Sequence, residues 1–357
     1  MSADSLTGVR PVPRYVDLLW DAVVVGDEAG ARGVVAGALA DGLDRESLLL
    51  DVIGAVQRRI GQEWAAGRLR VAQEHAATAI NDRVIAALPI HPRPVDGPVG
   101  HVTVACVDGE WHALPARLLA EVLLLRGFQV DFLGAHVPGP HLIADLHRTA
   151  PDAVALSGSI ATRLPTAHAT ISACQAAGIP VIAGGAAFGY DGRYARLFGA
   201  EWAPDARAAA DRLARPLPRP RPAHKPIDDL PHLADQEYTM VSRTASRLAR
   251  TVYKRLESRV PAMRDFSDLQ RQHTAEDLRH IVDFLATALY TGDDELFVGF
   301  VTWTAGILES RRVPANTLLP TLGLLGDELR EFPRAVRMLT RAGEHLSSTI
   351  STTGKTE

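Results

Sequence analysis

Residues 108–119 read DGEWHALPARLL, and His112 in this stretch has Glu110 two places before it and Asp108 four places before it. An imidazole binds a metal best when its tautomer is fixed, and a carboxylate accepting a hydrogen bond from its second nitrogen fixes it and strengthens the donor. Glu110 or Asp108 lies in the right loop for that task. One histidine suffices for a cofactor whose ring nitrogens fill the other equatorial positions, and is too few for a zinc site built by protein alone. The same pattern also fits a loop histidine satisfied by backbone groups. Ser157 and Ser159 in ALSGS offer hydroxyls, and Gly184-Gly185 in VIAGG admit close approach of a flat group. In IGQEWAAGRLRVAQEHAATA, Trp64 with Glu74 and His75 reads in two ways: an aromatic plate and polar pair enclosing a ligand, or bundle core beside a solvated helix pair.

These residues need elements to carry them. Between Tyr15 and Leu88 the apolar residues recur at three and four, with breaks at Gly26-Asp27, Gly42-Leu43 and Ala66-Gly67, which predicts a four-helix bundle over residues 12–90. HPRPVDGPVG, His91–Gly100, reads as a linker. HVTVACV, VDFLGA, AVALSG and PVIAGG then alternate with helical segments, the form of a doubly wound parallel sheet, closed by a fifth strand near Ala200 and a helix to residue 215. Such sheets bind ligands beyond the carboxyl ends of their strands, where His112, Ser157, Ser159 and Gly184-Gly185 all fall. Pro115 suits a first helical turn. A dinucleotide fold wants GxGxxG after the first strand, but VDGEWHALP has one glycine and a bulky Trp-His pair, so a metal-borne cofactor is the better candidate.

Residues 216–233 are proline-rich and read as a stiff linker, residues 234–347 carry helical spacing throughout, and the end, SSTISTTGKTE, reads as disordered. His273, Asp277 and His280 share one helix face, followed by Phe284, Tyr290, Phe297, Phe300 and Trp303. That set is an amphipathic helix beside an aromatic core, or the lining of a pocket for a planar tetrapyrrole with Arg259, Arg264 or Arg279 near its carboxylates. The 357 residues are 46% hydrophobic with a net charge of −4, which disfavours a dedicated nucleic-acid binder. Cys106 and Cys174 are the only cysteines, too few for a disulfide framework or cysteine metal site. No apolar run reaches the roughly 20 residues of a membrane span, and a cytoplasmic location is expected.

GEWHALPARLLAEVLLLRGFQVDFLGAHVP, ALSGS and VIAGG resemble the cobalamin-binding domain of methionine synthase and its relatives, a flavodoxin-like (Rossmann-like) α/β fold. The family's DxHxxG histidine is the lower axial ligand of cobalt, which implies that role for His112. The resemblance puts Glu110 at the Asp position, Pro115 at the glycine, Ser157 and Ser159 at the serine element, and Gly184-Gly185 around the nucleotide tail. Trp64, Glu74 and His75 match the W-x9-EH cap of the cobalamin photoreceptors, in which the bundle covers adenosylcobalamin and the Trp packs on the adenosyl group. Two departures matter. No helix-turn-helix precedes the cap, so no DNA-binding domain is evident, and Ala65 stands where the light-dependent repressors place the histidine that caps cobalt after the adenosyl group leaves. The domain order resembles the photocobilins, whose globin-like, phycobiliprotein-related domain binds biliverdin, here necessarily without a thioether bond because no cysteine follows Cys174. The resemblance therefore implies a multidomain light sensor, a homodimer signalling to an unknown protein and not an enzyme. The alternatives are a corrinoid methyl carrier and a cobalamin sensor whose C-terminal helices bind protein.

Overall fold

The computed structural model of the chain describes residues 12–88, 97–220 and 230–353, and residues 91–96 of the first expected linker and 221–229 of the second lie outside those ranges. The chain divides into two compact units: residues 1–159 with 170–223, and residues 160–169 with 224–357.

In the first unit, α1 (Val12–Val25) buries Tyr15, Leu19 and Val23, one side of a helix. Asp27 caps α2 (Glu28–Ala40) by accepting from Gly30 N–H, and Asp44 caps α3 (Arg45–Ser47) through Ser47 N–H. The expected third bundle helix is not uniform. A π-helical turn, Leu48–Ile53, joins α3 to α4 (Gly54–Ala65) and turns Leu48, Leu49, Val52 and Ile53 all inward. The last bundle helix is α5 (Val71–Ala86).

The α/β part follows as β1 (His101–Cys106), α6 (Leu114–Leu125), β2 (Gln129–Gly134), α7 (Gly139–Thr149), β3 (Ala153–Ser157), α8 (Leu164–Ala176), β4 (Val181–Gly184), α9 (Arg193–Leu197), β5 (Glu201–Trp202) and α10 (Ala206–Leu213). All four strand pairings are parallel and the order is β2-β1-β3-β4-β5, the flavodoxin-like order. The register pairs Cys106 with Ser157 and Ser157 with Gly184, so the loops after β1, β3 and β4 start side by side.

Bundle and sheet were expected as separate domains, yet they share one apolar cluster, from Leu19 and Ile53 in the bundle to Val104 and Leu123 in the sheet layer. Two arginines fasten them. Arg126 binds Glu46 through two hydrogen bonds of 2.9 Å, and Arg207 binds Asp51 at 2.8 and 3.0 Å. Gly54 faces Leu118 of α6, whose Cδ1 lies 3.7 Å from the place a Cβ would take.

The second unit is helical, as expected: α11 (Glu237–Arg259), α12 (Asp268–Thr291), α13 (Asp294–Ser310), α14 (Leu318–Glu328) and α15 (Pro333–Thr353) surround their own core, which includes Val252, Val282, Leu285, Phe297, Leu325 and Met338. Two boundaries differ from expectation. The end of the linker is docked, because Leu230 and Leu233 are buried and Arg334 holds the His232 carbonyl at 3.0 Å and Asp235 at 2.7 Å. The tail expected to be disordered continues α15 to Thr353, its serine and threonine hydroxyls bonding carbonyls a turn back, while residues 354–357 lie outside the described residues. Among the described residues no helix is long and apolar enough to cross a membrane.

Candidate functional site

The loop after β1 turns on Gly109, whose φ of +79° suits glycine, and delivers Glu110 and His112 to the carboxyl edge of the sheet. Of the two carboxylates, Glu110 takes the task. It is 1% exposed, and one oxygen accepts from His112 Nδ1 at 2.5 Å and His112 N–H at 2.9 Å. The other oxygen accepts from Ser159 N–H at 2.7 Å. His112 is therefore held with its Nδ1 proton on Glu110 and Nε2 left as the lone-pair donor. The hydrogen bond to Glu110 raises the imidazole pKa above its ordinary value, burial opposes this, and the charges of Glu110 and Glu74 add to it. Asp108 lies nearer His136, at 3.2 Å from its Nδ1.

Ser159 thus contributes its backbone amide to the site, where the sequence pointed to its hydroxyl. Ser157, buried, lines a cavity of about 150 Å³ between β3, β4 and α6, together with Pro115, Leu119, Gly184, Gly185 and Ala206. Pro115 is the second residue of α6 and forms a wall of that cavity. Gly185 has φ of +95°, and a Cβ on it would collide with the Gly158 carbonyl oxygen. That position is glycine because the β3 and β4 loops touch there, as well as because it borders the cavity.

On the bundle, Trp64 ends α4 half-buried and packs on the apolar cluster. Glu74 pairs with His75, which is exposed, and accepts from Thr78 Oγ1 at 3.1 Å. Thr78 in turn accepts from Gln57 Nε2 at 2.8 Å, and Gln57 Oε1 from Asn81 Nδ2 at 3.0 Å. This ladder from Glu74 into the bundle core was not evident in the sequence, since Gln57 and Thr78 lie on different helices and neither stands in a motif. The charge of Glu74 is the smallest of the influences that raise the His112 pKa.

The C-terminal set is only partly brought together. A cavity of about 410 Å³ is lined by Leu256, Met263, Phe266, Asp277, Ile281 and Thr321, among others. Burial raises the Asp277 pKa although the residue keeps access to solvent, with His280, Arg311 and His273 opposing the shift. His273 and His280 are exposed and do not line this cavity. Of the aromatics, Tyr290, Phe297 and Phe300 are buried and Phe284 stacks on Phe300, whereas Trp303 is 50% exposed and does not belong to the core. Arg279 is held by Asp283 and Ser246, Arg259 lies 3.9 Å from Asp327, and the Arg264 carbonyl accepts from Arg271. Among the described residues no group of three or more His, Cys, Asp or Glu could hold a metal ion by itself.

Residues 100–211 match the family model of the B12 binding domain, and residues 15–88 match a second model of a B12 binding domain. The chain carries a cobalamin-binding unit. The unit is 32% identical over 143 residues to the HTH-type transcriptional repressor CarH of Myxococcus xanthus, covering 38% of this chain and 46% of the relative, less than half its length. It is 26% identical over 147 residues to trimethylamine corrinoid protein 1 of Methanosarcina acetivorans, covering 40% of this chain and 68% of that one. The fold is similar to the solved monomethylamine corrinoid protein of Methanosarcina barkeri, with a TM-score of 0.50 and 20% identity over 57% of this chain and 98% of that one. The residues fit the group. An imidazole with one free nitrogen, a buried carboxylate orienting it, and an apolar slot beside it between β3, β4 and α6 are what a corrinoid with a nucleotide tail requires.

Proposed function

We propose that this chain is a light sensor and not an enzyme, binding adenosylcobalamin with His112 as lower axial ligand. What supports it is the helical bundle that bears Trp64 and the Glu74–His75 pair, which Arg126 and Arg207 fasten to the α/β part, while the His112 side chain stays 58% exposed for a cofactor to reach. A carrier serving partner enzymes needs an accessible upper face. When bound, the cofactor supplies a cobalt–carbon bond that visible light breaks. The chain's residues do the rest. Glu110 orients His112, and Ser157, Pro115 and the glycine pair receive the nucleotide tail. Trp64 would pack against the cofactor's upper group and exclude water, so the bundle's position would depend on whether that group is there. Ala65 offers no replacement ligand.

The helical second unit extends the response. A globin-like packing with noncovalently bound biliverdin is the reading for it, with Asp277 as the charged residue of the 410 Å³ cavity, beside Thr274, Asn316 and Thr321. The output is a change within a homodimer read by a downstream protein. Anaerobic illumination of the holoprotein tests the first part: the cobalt–carbon absorbance bleaches and the spectrum of the photolysed corrinoid replaces it, and an unchanged spectrum refutes the reading. Similarity to a trimethylamine corrinoid protein favours a second reading, a methyl carrier. Methylcobalamin retained on purification, with methyl transfer to an added partner, establishes that one instead.

A further inference from the structure

His136 follows β2 by two positions and has φ of +49°, a left-handed conformation disfavoured for a residue with a Cβ. Its contacts go to the loop that carries His112. The His136 N–H donates to the Glu110 carbonyl at 2.8 Å, and its Nδ1 accepts from the Gly109 N–H at 2.9 Å. Its ring stacks on Trp111, with centroids 4.7 Å apart and planes 18° apart. Asp108 Oδ1 is 3.2 Å from the same Nδ1. Because a backbone N–H can only donate, Nδ1 is the acceptor and carries no proton, so Asp108 is a neighbour and not its partner.

One side chain and its own amide therefore pin residues 109, 110 and 111 in succession, from a neighbouring strand. The His136 side chain is 43% exposed, so the apolar core does not depend on it. We propose that His136 is a positioning residue for the lower ligand. It holds the loop so that the Glu110 carboxylate stays under His112 Nδ1, and the aim of His112 Nε2 follows from that. The left-handed backbone at His136 is what points both its N–H and its ring at the loop. The proposal rests on His112 being the cobalt ligand.

Two variants separate backbone from side chain. H136G accepts the left-handed conformation without strain but has no ring or acceptor, whereas H136N tolerates it and retains a side-chain acceptor. In the divalent-cobalt form of the holoprotein, made with 15N-labelled histidine, electron paramagnetic resonance reads the axial nitrogen directly. Wild type shows its splitting, H136G loses it in most molecules, and H136N restores part of it. In the protein without corrinoid, amide exchange over residues 108–112 accelerates about tenfold in H136G while β1 and β3 stay protected. An H136G variant with wild-type splitting and wild-type exchange overturns the proposal. If wild type lacks the splitting and H112A leaves the spectrum unchanged, the reading of His112 fails, and the exchange measurement still decides whether His136 holds the loop.

Discussion

Glu110 carries the site at the scale of single residues. Its buried carboxylate satisfies three donors, His112 Nδ1, His112 N–H and Ser159 N–H, with both oxygens in use. Glutamine has the same shape but presents an NH2 group to at least one of these donors, leaving it unpaired in a dry place. E110Q is expected to lower corrinoid affinity roughly 10- to 100-fold, the usual effect of losing a carboxylate that orients a metal-bound histidine. Equilibrium titration with the corrinoid measures it, and circular dichroism confirms that the variant is folded. Glu110 was legible beside His112 because the two share a short loop. His136 was not, because it lies after a different strand and only its left-handed backbone turns it toward Gly109. The two cysteines are buried, and burial pushes both thiols up to about 12, so neither competes as a ligand at neutral pH.

Between elements, ion pairs fasten the apolar joint of bundle to sheet. Arg126 beside Glu46 holds that carboxylate below its ordinary value of 4.5, burial opposing, with Arg207 adding to the effect. A lowered pKa in the folded state means that the stabilisation is complete above the ordinary carboxylate value and is lost as pH falls through the lowered one. Urea unfolding followed by tryptophan fluorescence should therefore show stability falling on acidification below 4.5. E46Q removes that part of the pH dependence and costs about 1 kcal/mol at neutral pH, the upper end for a pair with partial solvent access. An E46Q protein with an unaltered pH profile shows that other carboxylates set it. The π-helical turn at Leu48–Ile53 sits beside this joint. Apolar spacing in ESLLLDVIGAVQ announces a helix, but the extra residue per turn comes from burying four residues of LLLDVI against neighbours, which the run alone does not specify.

For the whole molecule, two cores imply two separable responses. Reconstitution with adenosylcobalamin and biliverdin together should give a cobalt–carbon band and a red band. H112A is expected to alter the first alone and D277A to weaken or shift the second alone, with absorbance spectroscopy as the check. A protein that never develops a red band leaves the helical unit as a protein-binding module. Of His273, Asp277 and His280, Asp277 alone lines the cavity, which narrows the possible contacts, because residues sharing one helix face need not share one cavity. What the sequence determined by itself is local: helices from three-and-four spacing and their Asp caps, strands from short apolar runs, and the Glu110–His112 pair within one loop. Tertiary structure alone decided which distant loops meet. Parallel register aligns Cys106, Ser157 and Gly184 across the sheet, packing carries Glu74 toward His112, and His136 reaches back from the next strand. Periodicity encodes which face of an element is buried, whereas the approach of chain-distant side chains depends on strand order, register and interlayer packing, which no single stretch of residues contains.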